Sequence, residues 1–468
     1  MLTNELVFLS VSELAGLIRE LKVSPVELTK AYIERINALD FKLNSFITVF
    51  RTTALNDARI AEEEIRNGRY LGPLHGIPVA VKDQFWTKGI RTTAGSRIQQ
   101  EFIPNEDATI INRLKQAGAI ILGKTNLTEF AITGFSHRFS TPRNPWNIDM
   151  YTGGSSGGSA AATAGYLCAT SLGEDTGGSI RFPASWCGLA GIRPSWGRVS
   201  RYGVIKGLWS MDTVGPISRC VEDAAITLGA IAGHDPNDPY SWKHPVPDYQ
   251  STIRDSIKNM RVALVTDGID REGVDPEVRT AVYQACDVIK GLGANVEEVS
   301  IPLADHAGTI SAVLMATETA ANHRDWIKTR TIDYGHDNRI ALQTGSIMPA
   351  QAYYKAQQLR ALIRDKTLET LKKYSILLMP TTGTTAQLIK DDQPVGSKND
   401  TTKEDYLLRR IWNLTGAPAL SVRCGFDNAG LPIGLQIGGK PFDEATVLRL
   451  GYSYEQSTEW HKKRPPDA

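Results

Sequence analysis

Ser155 and Ser179 each close the same tetrapeptide, Thr-Gly-Gly-Ser, at 152–155 and again at 176–179, and Lys82 ends the apolar run Ile77-Pro78-Val79-Ala80-Val81. Two serines in glycine-rich turns and one lysine in apolar surroundings are the parts of a serine hydrolase that needs no histidine. A serine hydroxyl becomes a useful nucleophile only when a base takes its proton. An exposed lysine is protonated at neutral pH and cannot be that base, but burial disfavours the charged form and lowers its pKa. Each part alone has an ordinary reading: Lys82 as a strand-end lysine paired with Asp83, the Gly-Ser segments as turns. The conjunction points to acyl-transfer chemistry.

Competing motifs fail on physical grounds. Gly118-Ala-Ile-Ile-Leu-Gly123-Lys124-Thr125 matches the phosphate-loop pattern in form. A phosphate cradle needs its spacer residues to curl and aim N–H groups inward, whereas Ala-Ile-Ile-Leu favours an extended buried strand. Asp175-Thr176-Gly177 has no second copy to make a carboxylate pair sharing a proton, so Asp175 reads as a structural turn residue. Gly153-Gly-Ser155-Ser-Gly157 fits a nucleophile elbow, but none of the later histidines (His234, His244, His306, His323, His336, His461) stands in a recognisable motif. No metal-ligand spacing is present, and no cofactor or metal is expected.

These residues need a scaffold, and the pattern around them is that of an α/β protein. Ser12 is placed as the N-cap of a first helix, and Ser24-Pro25-Val26-Glu27 has the cap, proline and acidic first turn of a second. Helices are expected over 54–67, 108–116, 275–290 and 350–373, with strands ending at Lys82 and over 119–122, 261–265, 419–423 and 433–437. Residues 301–350 show no strong periodicity, and 234–250 and 391–400 read as loops. Strands at both ends without a clean linker argue for one large domain. Its 468 residues leave ample chain for a core. A net charge of +1 without long runs of like charge gives no sign of a nucleic-acid or anionic-membrane surface. Five scattered cysteines fit a reducing compartment. With no basic-apolar leader at the start, the expected location is the cytoplasm.

The motifs together resemble the amidase signature hydrolases. The resemblance runs through Gly72–Asp83, Gly123-Lys-Thr-Asn126, Asn144-Pro-Trp146, Gly153–Ser159, Asp175–Ala184, Gly191–Pro194, Gly197–Gly203, Asp212–Pro216, Gly416–Leu420 and Gly430–Gln436. It covers nearly the whole chain and is loose only over about 235–410. It implies a single domain with a mixed central sheet flanked by helices, a signature core at about 72–216 and a variable substrate-side region at about 235–410. By the same resemblance Ser179 is the nucleophile, Ser155 follows a cis Gly154–Ser155 peptide and relays the proton, and Lys82 is the base. The backbone N–H groups of Thr176, Gly177, Gly178 and Ser179 form the oxyanion hole. Glu174 departs from the family pattern, which mostly has Ser or Thr there, and reads as a residue turned away into a salt bridge.

The resemblance also sets expectations for substrate. The stretch Glu129–Phe135, with Ala131 and Phe135 as substrate contacts, lines the acyl side in the family and is apolar and small here. This suggests hydrolysis of a small uncharged aryl or alkyl amide, or a carbamate (a urethanase), by a stand-alone monomer or homodimer. No nucleic acid or membrane partner is expected. The alternative is the glutaminase (A) subunit of a tRNA-dependent amidotransferase, which needs partner subunits and delivers ammonia to them. An inactive binding protein is disfavoured because Lys82, Ser155 and Ser179 are all intact.

Overall fold

Capping residues start the chain's first helices. Val11–Arg19 is capped by Ser10, whose hydroxyl accepts from Glu13 N–H at 3.1 Å while Glu13 Oε2 accepts from Ser10 N–H at 2.7 Å. This reciprocal capping box moves the helix start two residues ahead of the expected Ser12. Ser24 caps Pro25–Leu43 by accepting from the N–H groups of Val26 and Glu27, as its sequence implies. The computed structural model describes residues 3–134, 139–205, 207–270, 273–389 and 403–466.

Thirteen strands follow in chain order among the described residues. They are β1 (Phe46–Val49), β2 (Pro78–Lys82), β3 (Ile120–Thr125), β4 (Arg143–Asn144), β5 (Asn147–Tyr151), β6 (Thr170–Glu174), β7 (Ala190–Arg193), β8 (Val214–Ser218), β9 (Arg261–Val265), β10 (Asn295–Val299), β11 (Ile376–Pro380), β12 (Ala419–Phe426) and β13 (Pro432–Gly439). β4 and β5 form a small hairpin, and the other eleven make one mixed sheet in the order β1-β3-β2-β6-β8-β7-β12-β13-β11-β9-β10. Helices flank this sheet, giving the single large α/β domain with a mixed central sheet.

Two features of the topology matter for the site. β2 runs parallel to β6, with Val81 opposite Leu172, so the chain leaving both strands emerges at the same edge. Crevices beyond the carboxyl ends of strands are where α/β sheets hold ligands. β3, the segment with the phosphate-loop pattern, is a wholly buried strand, and its extended form cannot cradle a phosphate. Residues 301–350, without periodicity in the sequence, fold into helices Ala307–Asn322, Arg324–Arg330 and His336–Ser346. The first packs against His336–Ser346, Ala350–Lys373 and Lys403–Thr415. Burial on several sides spreads its apolar residues around the axis and erases the one-faced stripe that sequence reading relies on. Ile310, Leu314, Ile363 and Trp412 form the core of this helical layer. No described helix is long and apolar enough to cross a membrane.

Candidate active site

Lys82 closes β2, all of whose residues are buried. Its Nζ lies 2.7 Å from Ser155 Oγ and 3.5 Å from both the main-chain oxygen and Oε2 of Glu174. Burial draws the ammonium down to about 8, against the opposing pull of Glu174, Asp212 and Asp175. The ordinary alternative, pairing with Asp83, does not occur. Asp83 accepts from Thr93 and faces Lys124 at 3.5 Å. Lys124 in turn contacts the main-chain oxygen of Phe85 and the hydroxyls of Thr87 and Thr92. Two buried lysines on adjacent strands thus have different surroundings: Lys124 is tied into structure, and Lys82 faces a serine.

The two glycine-rich turns are joined to each other by backbone. The Gly154–Ser155 peptide is cis. Ser156 follows at the start of Gly157–Ala164, a fully buried helix of small residues. Its N–H donates to the Ser179 carbonyl at 3.3 Å, and its hydroxyl bridges the N–H and carbonyl of Glu174, each at 3.2 Å. Lys82, Ser155 and Ser179 are therefore gathered at the carboxyl ends of β2 and β6. The partner of the Ser155 hydroxyl is the lysine and not a histidine, so the elbow with Asp and His has no footing. Ser179 is half-buried, and its hydroxyl has no hydrogen-bond partner among the described residues.

Asp175 shapes the loop that carries Ser179. Its carboxylate accepts from the N–H groups of Gly178 (2.8 Å) and Ile180 (3.2 Å), from Arg181 and from Asn413 (2.8 Å), with Arg193 at 3.4 Å. Burial pushes this carboxyl up, but Arg181 and Arg193 outweigh it and hold Asp175 well below the usual carboxylate range. Of the N–H groups expected to face an oxyanion, that of Gly178 is thus occupied. Those of Thr176, Gly177 and Ser179 have no acceptor among the described residues. The Arg410 guanidinium packs directly on Gly177, where a Cβ would displace it. At Gly178, φ is +108°, which side-chain-bearing residues rarely adopt.

A cavity of about 570 Å³ opens beside this loop. Phe130, Ala131, Ile132 and Thr133 line it together with Thr176; of the two expected substrate contacts, Ala131 is thus on the cavity, and Phe135 lies outside the described residues. Phe130 and Ala131 both have positive φ (53° and 59°), a strained backbone that frequently marks ligand sites. Sequence reasoning missed Arg410 and Asp305, which put both signs of charge on a wall expected to be apolar. The signal was present in Leu407-Leu408-Arg409-Arg410-Ile411-Trp412, two arginines inside an apolar helical stretch. Glu174 also departs from its sequence reading. It does not turn away but faces Lys82.

The family described as Amidase matches residues 27–448. The chain is 40% identical to the A subunit of the glutamyl-tRNA(Gln) amidotransferase of Geobacter sp. (strain M21), over 99% of this chain and 100% of that protein. It superposes on the crystal structure of the corresponding A subunit from Thermotoga maritima with a TM-score of 0.81 at 34% identity, over 96% of this chain and 95% of the other. A chain from a complex described as revealing the origins of an s-triazine catabolic enzyme superposes with a TM-score of 0.90 at 31% identity, over 96% and 98%.

The similarity to A subunits along the whole length corrects the expectation of a stand-alone hydrolase of small uncharged amides or carbamates. Lys82 and the two serines could not have revealed this, because the same three groups serve the same bond cleavage whether or not a chain has partners. The expectations of a small-molecule substrate alone, no nucleic acid, and a monomer or homodimer fall with it. The expectation of no nucleic acid rested on a net charge of +1, which sums the whole surface and does not describe any one face of it.

Proposed function

The chain belongs to the amidase signature family and is an enzyme of the amidase type, and from that premise we propose that it is the glutamine-hydrolysing A subunit of a glutamyl-tRNA(Gln) amidotransferase. The observation that carries this reading is the similarity to such subunits from end to end, including the substrate-side region. The cavity agrees with it. Arg410 and Asp305 in its lining suit the carboxylate and ammonium of an amino-acid substrate better than an uncharged amide. A substrate carried by tRNA is compatible with the expected cytoplasmic location.

In the proposed cycle neutral Lys82 accepts the Ser155 proton as Ser155 takes that of Ser179. The Ser179 oxygen then attacks the side-chain amide carbon of glutamine. Negative charge developing on the carbonyl oxygen is met by backbone N–H groups of Thr176, Gly177 and Ser179. Such preorganised donors are each worth about 10²–10³ in rate. The relay returns the proton to the departing nitrogen, ammonia leaves, and water hydrolyses the acyl-enzyme by the same relay. Residues of about 72–216 supply this machinery, and the region at about 235–410 supplies the substrate wall through Asp305 and Arg410.

The test is ammonia release from glutamine by the chain with and without its co-purified partner subunits, alongside Ser179→Ala. Release that depends on Ser179 and rises with the partners is expected. Cleavage of anilides or carbamates with no release from glutamine under either condition would overturn the proposal.

A further inference from the structure

Glu174 is a buried carboxyl that the cycle above does not use. It ends β6, one strand from Lys82, and is 1% exposed. Its Oε1 lies 2.7 Å from the Thr176 hydroxyl, which also lies 2.6 Å from Asp212 Oδ1. A threonine hydroxyl has one hydrogen to give. When two carboxyls meet on it they compete for that one hydrogen, which leaves the charge of Glu174 poorly compensated from this side. Among the described residues Glu174 Oε2 has no hydrogen-bond partner, and its neighbour is the Lys82 ammonium at 3.5 Å.

The other charged groups near this point are already engaged. Asp175 is matched by Arg181 and Arg193. Asp212 accepts at Oδ2 from the N–H groups of Gly207 and Leu208, and Arg201 adds its positive field. The carboxyl chain ending at Glu174 is therefore the counter-charge placed directly on the lysine. A buried opposite charge at this distance favours the charged form of its partner.

We propose that Glu174 is a positioning residue that sets the pH at which Lys82 becomes available as a base, its carboxylate holding the Lys82 proton until the pH is high enough to remove it. The inference rests on Lys82 being the base in the cycle above. Its electrostatic surroundings agree. Burial and Asp212 push Glu174 up to about 7, and Glu174 in turn opposes the lowering of Lys82 by burial.

The experiment is the pH profile of kcat/KM for glutamine hydrolysis by the assembled enzyme in wild type, Glu174→Gln, Glu174→Ser and Lys82→Ala. The rate of inactivation by a fluorophosphonate, a probe of activated serines, is followed over the same pH range. Gln keeps the shape and the Thr176 contact and removes only the charge, so a merely structural role would leave its profile like wild type. We expect the acid limb to move down by about one pH unit or more in both Glu174 variants. On the acid side that is a roughly tenfold gain in rate for the same pH. An unmoved limb, or one displaced upward, with Lys82→Ala inactive, overturns the role of Glu174 and leaves Lys82 as the base. A Lys82→Ala variant that keeps both activity and limb overturns the catalytic reading itself.

Discussion

Replacing Asp175 with Asn removes one charge and almost no volume from the point where the serine loop is anchored. The carboxylate is fully buried, as are Arg181 and Arg193. Asn cannot accept from Arg181 and the N–H groups of Gly178 and Ile180 together, and its amide N–H₂ would face the donors of Arg181 and Asn413. Stripping one member from a buried ion cluster costs about 3–5 kcal/mol, because the remaining charges are left uncompensated. The same change frees Gly178 N–H, so the loop carrying Ser179 loses its register. Catalysis should fall by about 10²-fold or more, the typical effect of a small misplacement. Denaturant unfolding followed by circular dichroism gives the stability loss, and glutamine hydrolysis at a temperature where the variant is folded gives the rate. The pH dependence adds a check of sign. The folded-state pKa of Asp175 is depressed, so its contribution is present above the unfolded value of about 3.9 and is lost only as pH falls through the lower folded value. Wild type should therefore lose this stability only at strong acidity, and the variant should lack it at neutral pH. A variant with less than about 1 kcal/mol of lost stability and a normal rate would refute this account of the loop.

Three further outcomes follow from the same geometry. Gly177→Ala should displace the Arg410 guanidinium and lower kcat/KM by about 10²-fold while circular dichroism stays unchanged; a normal kcat/KM would detach Arg410 from the site. Lys124→Met should destabilise by about 3–5 kcal/mol by leaving Asp83 buried without its partner, and the further change Asp83→Asn should recover part of the loss, as a double-mutant cycle in urea unfolding would measure. Because Lys82 must be neutral to accept a proton, kcat/KM should rise with pH through about 8 and fall below it; a profile flat from 6 to 9 would exclude it as the base.

Chemistry that is local in the chain was legible in the sequence. The apolar run before Lys82 predicts its burial, and the repeated Gly-Gly-Ser turns predict tight backbone about two hydroxyls. Ala-Ile-Ile-Leu at 119–122 predicts the strand that defeats the phosphate-loop pattern. Contacts made by topology were not legible. Glu174 meets Lys82 across 92 positions through the parallel pairing of β2 and β6, and no spacing rule reports that. Arg410 reaches the oxyanion loop from the far end of the chain. The helices over 307–346 lack a one-faced apolar pattern because neighbours surround the first of them. Ser10, not Ser12, caps the first helix because Glu13 stands three residues after it and completes the capping box, a local signal that the apolar spacing behind Ser12 obscures.

The most direct test of the central claim follows the amide nitrogen. The assembled enzyme is given glutamine labelled with ¹⁵N in its side-chain amide, together with glutamyl-tRNA(Gln), and the aminoacyl group is released from the tRNA and analysed by mass spectrometry. ¹⁵N is expected in tRNA-borne glutamine with the wild-type chain and none with Ser179→Ala. Label that never reaches tRNA while the chain still cleaves other amides, or transfer that survives the loss of Ser179, would contradict the claim.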